Sequence, residues 1–404
     1  MVARESCCNR PETGADMSIF DRIWSLDRLS PEERMLVNSV AELCEDKIKP
    51  RAEHYDVTGE FPWDNVHAIN ELGLNGVFIP EEYGGAGLSF VTYLHCVRLI
   101  SSACASTGII WATNCHAMKP VIDFATEEQK QRLLPRIAEG GLASLCITEP
   151  SAGSDALGMR TQFKPDGEDI IINGGKTFIT NGDAADLYLV FGKWSEIDDP
   201  RKSISVLVLE KGTPGLEVVS KEDKMGHRAS STCTLSFDDC RVPMANLLCE
   251  PGDGLNVLLA SLNKSRPSVA AHALGIASAA FQDAVGYINE RKQSGRRILE
   301  FQGIQFMLAD LASELALCDN WLMHVADLVE SGSTDFATEA SIAKQRASDL
   351  AMKMTTEAVQ LFGGYGYCRD YRVERLMRDA KITQIWEGTN QVHRQVIGRS
   401  FLQR

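Results

Sequence analysis

The spacing of apolar residues changes period twice along the chain. From Ser30 to about Ala143 it is helical: in SPEERMLVNSVAELCEDKIKPRA, Leu36, Val37, Val40, Leu43 and Cys44 recur every three or four residues and mark one buried stripe. Ser30 is placed to cap that helix and Pro31 to sit in its first turn. The segment IPEEYGGAGL, with Pro80, Gly84, Gly85 and Gly87, interrupts the helices with a loop. From about Ser144 to Pro251 the rhythm becomes that of short strands, DIIING, DLYLVFG, SISVLVLE, LEVVS and CTLSF, separated by Gly, Asp, Asn or Pro turns. Helical periodicity returns at Gly254 and meets few breakers before the segment GGYGY. The pattern predicts an α+β chain: a tail over 1–25, an N-terminal helical domain over 26–143, a central antiparallel β-barrel or sandwich over 144–253, and a C-terminal helical domain over 254–404.

Composition narrows the function classes. The 404 residues carry 41 Lys and Arg against 55 Asp and Glu, a net charge of −14 without any basic run, which opposes nucleic-acid binding. The 12 cysteines, among them Cys44, Cys96, Cys104, Cys146 and Cys318, lie scattered in apolar stretches with no CxxC and no paired-His spacing. They predict buried reduced thiols, with neither a disulfide framework nor a metal site. The first residues, MVARESCCNRPETGADMSIF, lack the apolar core of a secretory signal, and Met17 is an alternative start. No apolar run approaches the roughly 20 residues that cross a bilayer. A soluble protein of a reducing compartment is expected, cytoplasmic, or in the mitochondrial matrix if eukaryotic.

Two segments carry ligand chemistry. In LCITEPSAGSD an apolar strand runs into Thr148, Pro150, Ala152, Gly153 and Ser154, where small residues let a planar or phosphorylated ligand approach the backbone and hydroxyls supply donors. Taken alone, this is an ordinary strand-to-turn exit. About thirty residues on, KTFITNGDAADLYLVFG offers Phe178 to stack on a flat ring and Thr180 to bond to it; an aromatic beside a Thr in a strand is, by itself, core packing. At this spacing the pair resembles the acyl-CoA dehydrogenase family, whose pattern is C-[IVA]-T-E-P-x-x-G-S-D followed by an aromatic-I-T-N segment. The resemblance implies FAD as cofactor, with the two segments in a central β-domain against the isoalloxazine ring. Carried over, Ile147 and Thr148 face the pyrimidine side, Ser154 bonds the cofactor's polar chain and also borders the substrate, Phe178 stands where many relatives have Trp, and Thr180 approaches N5. The segment KMGHRASSTCTLSFDDCRVP also fits the family's β-domain, and a tight hairpin with an ion pair explains its Gly226, Arg228 and Ser230.

The C-terminal third extends the resemblance and implies a four-helix bundle. In NKSRPSVAAHALGIASAAF, Asn263 and Arg266 lie one turn apart on one helix face, where the family binds CoA; Asn263 replaces the usual Asp. In ERKQSGRRILEFQGIQFMLADLA, Arg291 and Gln302 match residues that reach the FAD pyrophosphate and adenosine of a neighbouring subunit, while Ser294 replaces a usual Phe. Gln360, Gly363 and Gly364 offer bare backbone to an anionic linker.

The segment KITQIWEGTNQVHRQVIGR then supplies Glu387, in the family the base that takes the α-proton of an acyl-CoA while the β-hydrogen leaves as hydride to flavin N5. The backbone N–H at that position and a ribityl hydroxyl of FAD stabilise the enolate there. Trp386 and Gly388 border the substrate, and Thr389 and Gln391 bond to FAD. Read alone, WEGT is equally a helix-start carboxylate beside a turn. Relatives that carry the base on the helix near Asn263 have Glu where this chain has Lys264 or Ser265, so Glu387 has no competitor.

The acyl pocket is expected along IIWATNCHAMKPVIDFATEEQK. Trp111 is placed to shorten it, with Ile110, Asn114 and Met118 nearby and His116 or Lys119 available to a polar tail. The leading expectation is an FAD-dependent dehydrogenase acting on a short, branched or medium acyl-CoA, passing electrons to an electron-transfer flavoprotein and assembling as a homotetramer. Two alternatives keep the scaffold: an enzyme of altered chemistry, whether oxidase, nitroalkane oxidation or elimination, or a non-catalytic DNA-repair-associated flavoprotein, which the −14 charge disfavours.

Overall fold

Helix α1 (Pro31–Leu43) starts at a capping box: the Ser30 hydroxyl accepts from the Glu33 N–H while the Glu33 carboxylate accepts from the Ser30 N–H. The computed structural model describes residues 23, 24 and 26–402, so nearly all of the expected tail and the start at Met17 fall outside the described residues. Beyond a π-turn at Cys44–Ile48 follow α2 (Lys49–Thr58), α3 (Trp63–Glu71), α4 (Phe90–Ala103), α5 (Ala105–Phe124) and α6 (Glu127–Ala138). The expected stripe is real: Val37, Val40, Leu43 and Cys44 are buried.

Seven strands form one curled sheet: β1 (Ala143–Cys146), β2 (Gln162–Asp166), β3 (Asp169–Thr180), β4 (Leu187–Trp194), β5 (Ile204–Glu210), β6 (Leu216–Lys221) and β7 (Thr232–Pro243). The order is β1-β4-β2-β3-β7-β6, with β5 also on β4. Most pairs are antiparallel, whereas β1 and β2 each run parallel to β4. Side chains alternate across a strand, and here both faces are covered. Leu187, Leu189 and Phe191 of β4 pack with Met118, Val121, Leu134 and Ile137 of α5 and α6. Tyr188 and Val190 point into the opposite core with Phe163, Ile172 and Leu235. Burial on both faces is why DLYLVFG and SISVLVLE are continuous apolar runs.

The last third begins with α7 (Gly254–Glu290), whose 37 residues lie against α4 and against α9 (Ala337–Phe362). A small hairpin, β8 (Lys292–Gln293) and β9 (Arg296–Arg297), turns at Ser294 and Gly295, with φ of 51° and 83°. Helices α8 (Gln302–Glu330), α10 (Val373–Ile382) and α11 (Asn390–Arg399) also pack on α9. Val97 and Ile100 of α4, Leu274 and Ala277 of α7, and Leu350 and Ala351 of α9 belong to one apolar cluster, so the helices before and after the sheet share a core. No helix among the described residues is long and apolar enough to cross a membrane.

Candidate active site

Between α10 and α11 the chain makes a tight turn through Trp386, Glu387 and Gly388. The Asn390 N–H donates to the Gln384 carbonyl at 3.0 Å and closes it. Glu387 and Gly388 both lie at positive φ, 52° and 95°. For a glutamate this costs about 1 kcal/mol or more and persists only where its surroundings fix it. Thr389 then caps α11, its hydroxyl accepting from the Val392 N–H.

The turn delivers the half-buried Glu387 side chain to α7, where the buried Ser265 hydroxyl donates to its Oε2 at 2.7 Å. Three nitrogen groups from three helices feel this carboxylate: Arg266 of α7, Lys344 of α9 and His116 of α5. Burial lowers the pKa of each, and the Glu387 charge pulls it back up. Lys344 is pushed down to about 7. Its ammonium donates to the Gly388 carbonyl at 2.7 Å and to Asn390 Oδ1 at 3.1 Å. Arg266 Nη1 donates to Asn263 Oδ1 at 3.0 Å, so the expected pair is joined.

Trp386 rests on a histidine pair. Its ring lies 5.1 Å from that of His227 and 5.6 Å from that of His272, and the two imidazoles meet Nε2 to Nε2 at 2.8 Å. His272 Nδ1 reaches the Ser101 hydroxyl at 2.7 Å, and the His227 N–H donates to Asp379 Oδ1 at 2.5 Å. Burial drives His272 down to about 3 and His227 well below its ordinary value, while it raises the Asp379 carboxyl to about 6. One shared proton between neutral rings satisfies the short contact.

The segments around Ile147 and Thr180 are tied to each other and to α5. The Thr177 N–H donates to the Thr148 carbonyl at 2.9 Å, and Lys176 Nζ donates to the Ile147 carbonyl at 2.9 Å and to Glu149 at 2.7 Å. Lys176 and Glu149 are both buried. The Ser144 hydroxyl donates to the Thr180 carbonyl, and Asn181 Nδ2 bridges to the carbonyls of Ile110 and Ala143. A break in the β3–β7 register between Lys176 and Ile179 puts Phe178 at φ 59° with 63% of its surface exposed. Ser154 is exposed as well.

A second group gathers elsewhere. Arg291, Gln360, Gly363 and Gly364 line a cleft of about 560 Å³ with Tyr287 and Tyr365. Gln360 is 16 residues farther along α9 than Lys344, about 24 Å at 1.5 Å per residue. Gln302, at the start of α8, and Gln391, on α11, are exposed and stand outside that lining.

Of the expected pocket residues, Trp111 packs against Tyr93 in the helical core with ring centroids 5.3 Å apart. Asn114 is occupied by the Ala143 N–H and Gly141 carbonyl, Met118 belongs to the sheet core, and Lys119 pairs with Asp123. Ile110 packs with Val66, Leu142 and Ala184. His116 alone among them is electrostatically coupled to Glu387.

Sequence reasoning passed over Ser265, Lys344, His227 and His272 as site residues. Lys344 left a readable signal: it falls on the buried stripe Ala340, Ala343, Ala347 and Ala351, where an unpaired lysine has no place. The histidine pair joins a loop after β6 to the middle of α7, a meeting no local pattern shows.

Three family models cover the chain: Acyl-CoA dehydrogenase, N-terminal domain, over residues 30–141, middle domain over 144–240, and C-terminal domain over 252–402. An acyl-CoA dehydrogenase of Bacillus subtilis is 43% identical over 376 residues, 93% of this chain and 99% of that protein. The butyryl-CoA dehydrogenase structure from Megasphaera elsdenii superposes with a TM-score of 0.90 at 39% identity, covering 93% of this chain and 99% of that one. A chain solved under the description "Electron transferring flavoprotein of Acidaminococcus fermentans: Towards a mechanism of flavin-based electron bifurcation" gives 0.91 at 43% identity, with coverage of 93% and 99%. The chain belongs to the acyl-CoA dehydrogenase family of oxidoreductases, which act on a CH–CH bond.

Proposed function

We propose that this enzyme oxidises a short, branched or medium acyl-CoA thioester to the trans-2-enoyl-CoA, with Glu387 as the base and FAD as cofactor. One observation carries the reading: a glutamate held at positive φ, hydrogen-bonded by Ser265 and faced by Arg266, Lys344 and His116.

The residues present fit a polar ligand. Among the described residues, His116 Nε2, Arg266 Nε and Trp386 Nε1 are buried without a hydrogen-bond partner. Such groups are costly unless something bonds them. Phe178 presents an exposed ring, and a Cβ at Gly363 or Gly364 would meet nothing within 4 Å. In this reading Ile147, Thr148, Ser154, Phe178 and Thr180 hold the flavin from the sheet, with Thr389 and Gln391 beside it. Arg291, Gln302, Gln360, Gly363 and Gly364 serve the adenosine and pyrophosphate end of the cofactor of a neighbouring copy in a homotetramer. FAD, when bound, supplies the acceptor for the hydride from the β-carbon.

The chain's own residues do the rest. A Glu387 oxygen takes the α-proton, and Ser265 holds the other oxygen so that the free one faces the thioester. The N–H of Glu387 donates to the thioester carbonyl, where negative charge develops. Asn263, Arg266 and Ser154 bind the CoA portion, and Trp386 and Gly388 border the acyl group. The butyryl-CoA dehydrogenase relative supports a short acyl chain, and the Acidaminococcus structure supports an electron-transfer flavoprotein as acceptor.

Anaerobic mixing with butyryl-CoA tests the base. Glu387→Gln should keep its yellow cofactor and lose flavin reduction by about 10²–10⁴-fold, the range of a positioned proton acceptor. Undiminished bleaching in that variant would refute the assignment. Nitroalkanes in the same assay separate this chemistry from others on the scaffold.

A further inference from the structure

Resting on the reading of Glu387 as base, we infer that Lys344 is the positioning residue of that base, acting as a buried ammonium clamp on the turn that carries it. Lys344 is fully buried on the inner face of α9, yet its Nζ spends its hydrogen bonds on the turn: 2.7 Å to the carbonyl of Gly388, the residue next to Glu387, and 3.1 Å to Asn390 Oδ1.

The clamp has a second jaw on the same helix. Asn390 Nδ2 donates to Asp349 Oδ1 at 2.7 Å and to the Ser348 hydroxyl at 2.9 Å. Gln384, on the other side of the turn, donates to the same Asp349 oxygen at 2.7 Å. Thus α9 grips residues 384, 388 and 390, and the two positive-φ residues between them are fixed from both ends. A glutamate at φ 52° relaxes unless its neighbours forbid it, so the grip decides where the carboxylate sits. Misplacing a reacting group by about 1 Å costs about 10²-fold in rate.

The ammonium also contributes charge. The ionisable and charged groups facing it are Glu387, Asp349, Arg266 and His393, from the turn, α9, α7 and α11. Burial disfavours this charge and the Glu387 carboxylate opposite favours it, so the ammonium and the turn hold each other.

The test is stopped-flow reduction of the FAD-loaded enzyme by butyryl-CoA over a range of substrate concentrations, on Lys344→Met, with Lys344→Gln as a second uncharged variant should the first not fold. Flavin content and near-UV circular dichroism are recorded on the same samples. The expected result is a limiting reduction rate lowered at least about tenfold, with binding of butyryl-CoA unchanged within about twofold. Lys344→Arg, which keeps donor and charge, should recover most of the rate. A folded, flavin-loaded uncharged variant with the original rate overturns the inference, as does a loss confined to substrate binding. Glu387→Gln run in parallel separates the two ideas: if it still reduces flavin, the base reading falls, whereas if it is dead and Lys344→Met is normal, only the clamp falls.

Discussion

At the scale of single residues, the site depends on two consecutive backbone conformations that side chains disfavour. Gly388 at φ 95° faces His393, and an added Cβ would lie 3.2 Å from the ring Nε2. Gly388→Ala should therefore lose about 1–3 kcal/mol, from the strained φ and the tight contact together. A lowered urea midpoint with unchanged slope checks it. Glu387 stood out in the sequence because WEGT lies at a family spacing from the other segments. Ser265 was legible only as the absence of a rival carboxylate. Its hydrogen bond to Glu387 spans 122 positions and arises from the docking of α7 against the turn, which no local pattern encodes.

At the scale of elements, β3 shows how a strand end is held for use. Its bulge exposes Phe178, while the neighbouring Lys176 turns inward to Glu149 and ties the strand to the Ile147–Glu149 exit. Glu149 also accepts from the N–H groups of Arg160 and Thr161. Replacing Lys176 by Met leaves that carboxylate buried and short of its cation, a loss of about 3–5 kcal/mol. Denaturant unfolding measures it, and Glu149→Gln in the same background should restore part of the loss. The strands themselves were legible as short apolar runs bounded by turn residues. The parallel pairing of β1 and β2 with β4 was not, because period-two alternation says nothing of strand direction.

At the scale of the whole molecule, the shared core of α4, α7 and α9 seats buried histidines where two helical regions and the sheet meet. His227, His272 and His393 titrate below the ordinary 6.5, the last two at about 3. The unfolded chain therefore binds more protons than the folded one below about pH 6.5, so their contribution is present above that pH and is lost as pH falls. Asp379, raised to about 6, works in the opposite direction between pH 4 and 6 and offsets one of the three. The melting temperature should drop between pH 7 and pH 5, and His272→Gln should shrink the drop; calorimetry at both pH values decides. Helix, strand and helix in succession were readable from periodicity, whereas the fusion of the first and last helical regions into one core depends on contacts made only after the sheet has brought them together.

The thiols provide a practical route to the outer cleft. Burial raises Cys96, Cys115 and Cys146 to about 12 and so keeps them unreactive, whereas Cys368 is the exposed thiol among the described residues and lies on the rim beside Arg291 and Gly364. A maleimide dye there sits within a few side chains of the shelf proposed for the nucleotide end of a second copy's cofactor. Its rate of attachment becomes a footprint of whether that shelf is bare or covered, readable without substrate, turnover or any colour from the flavin.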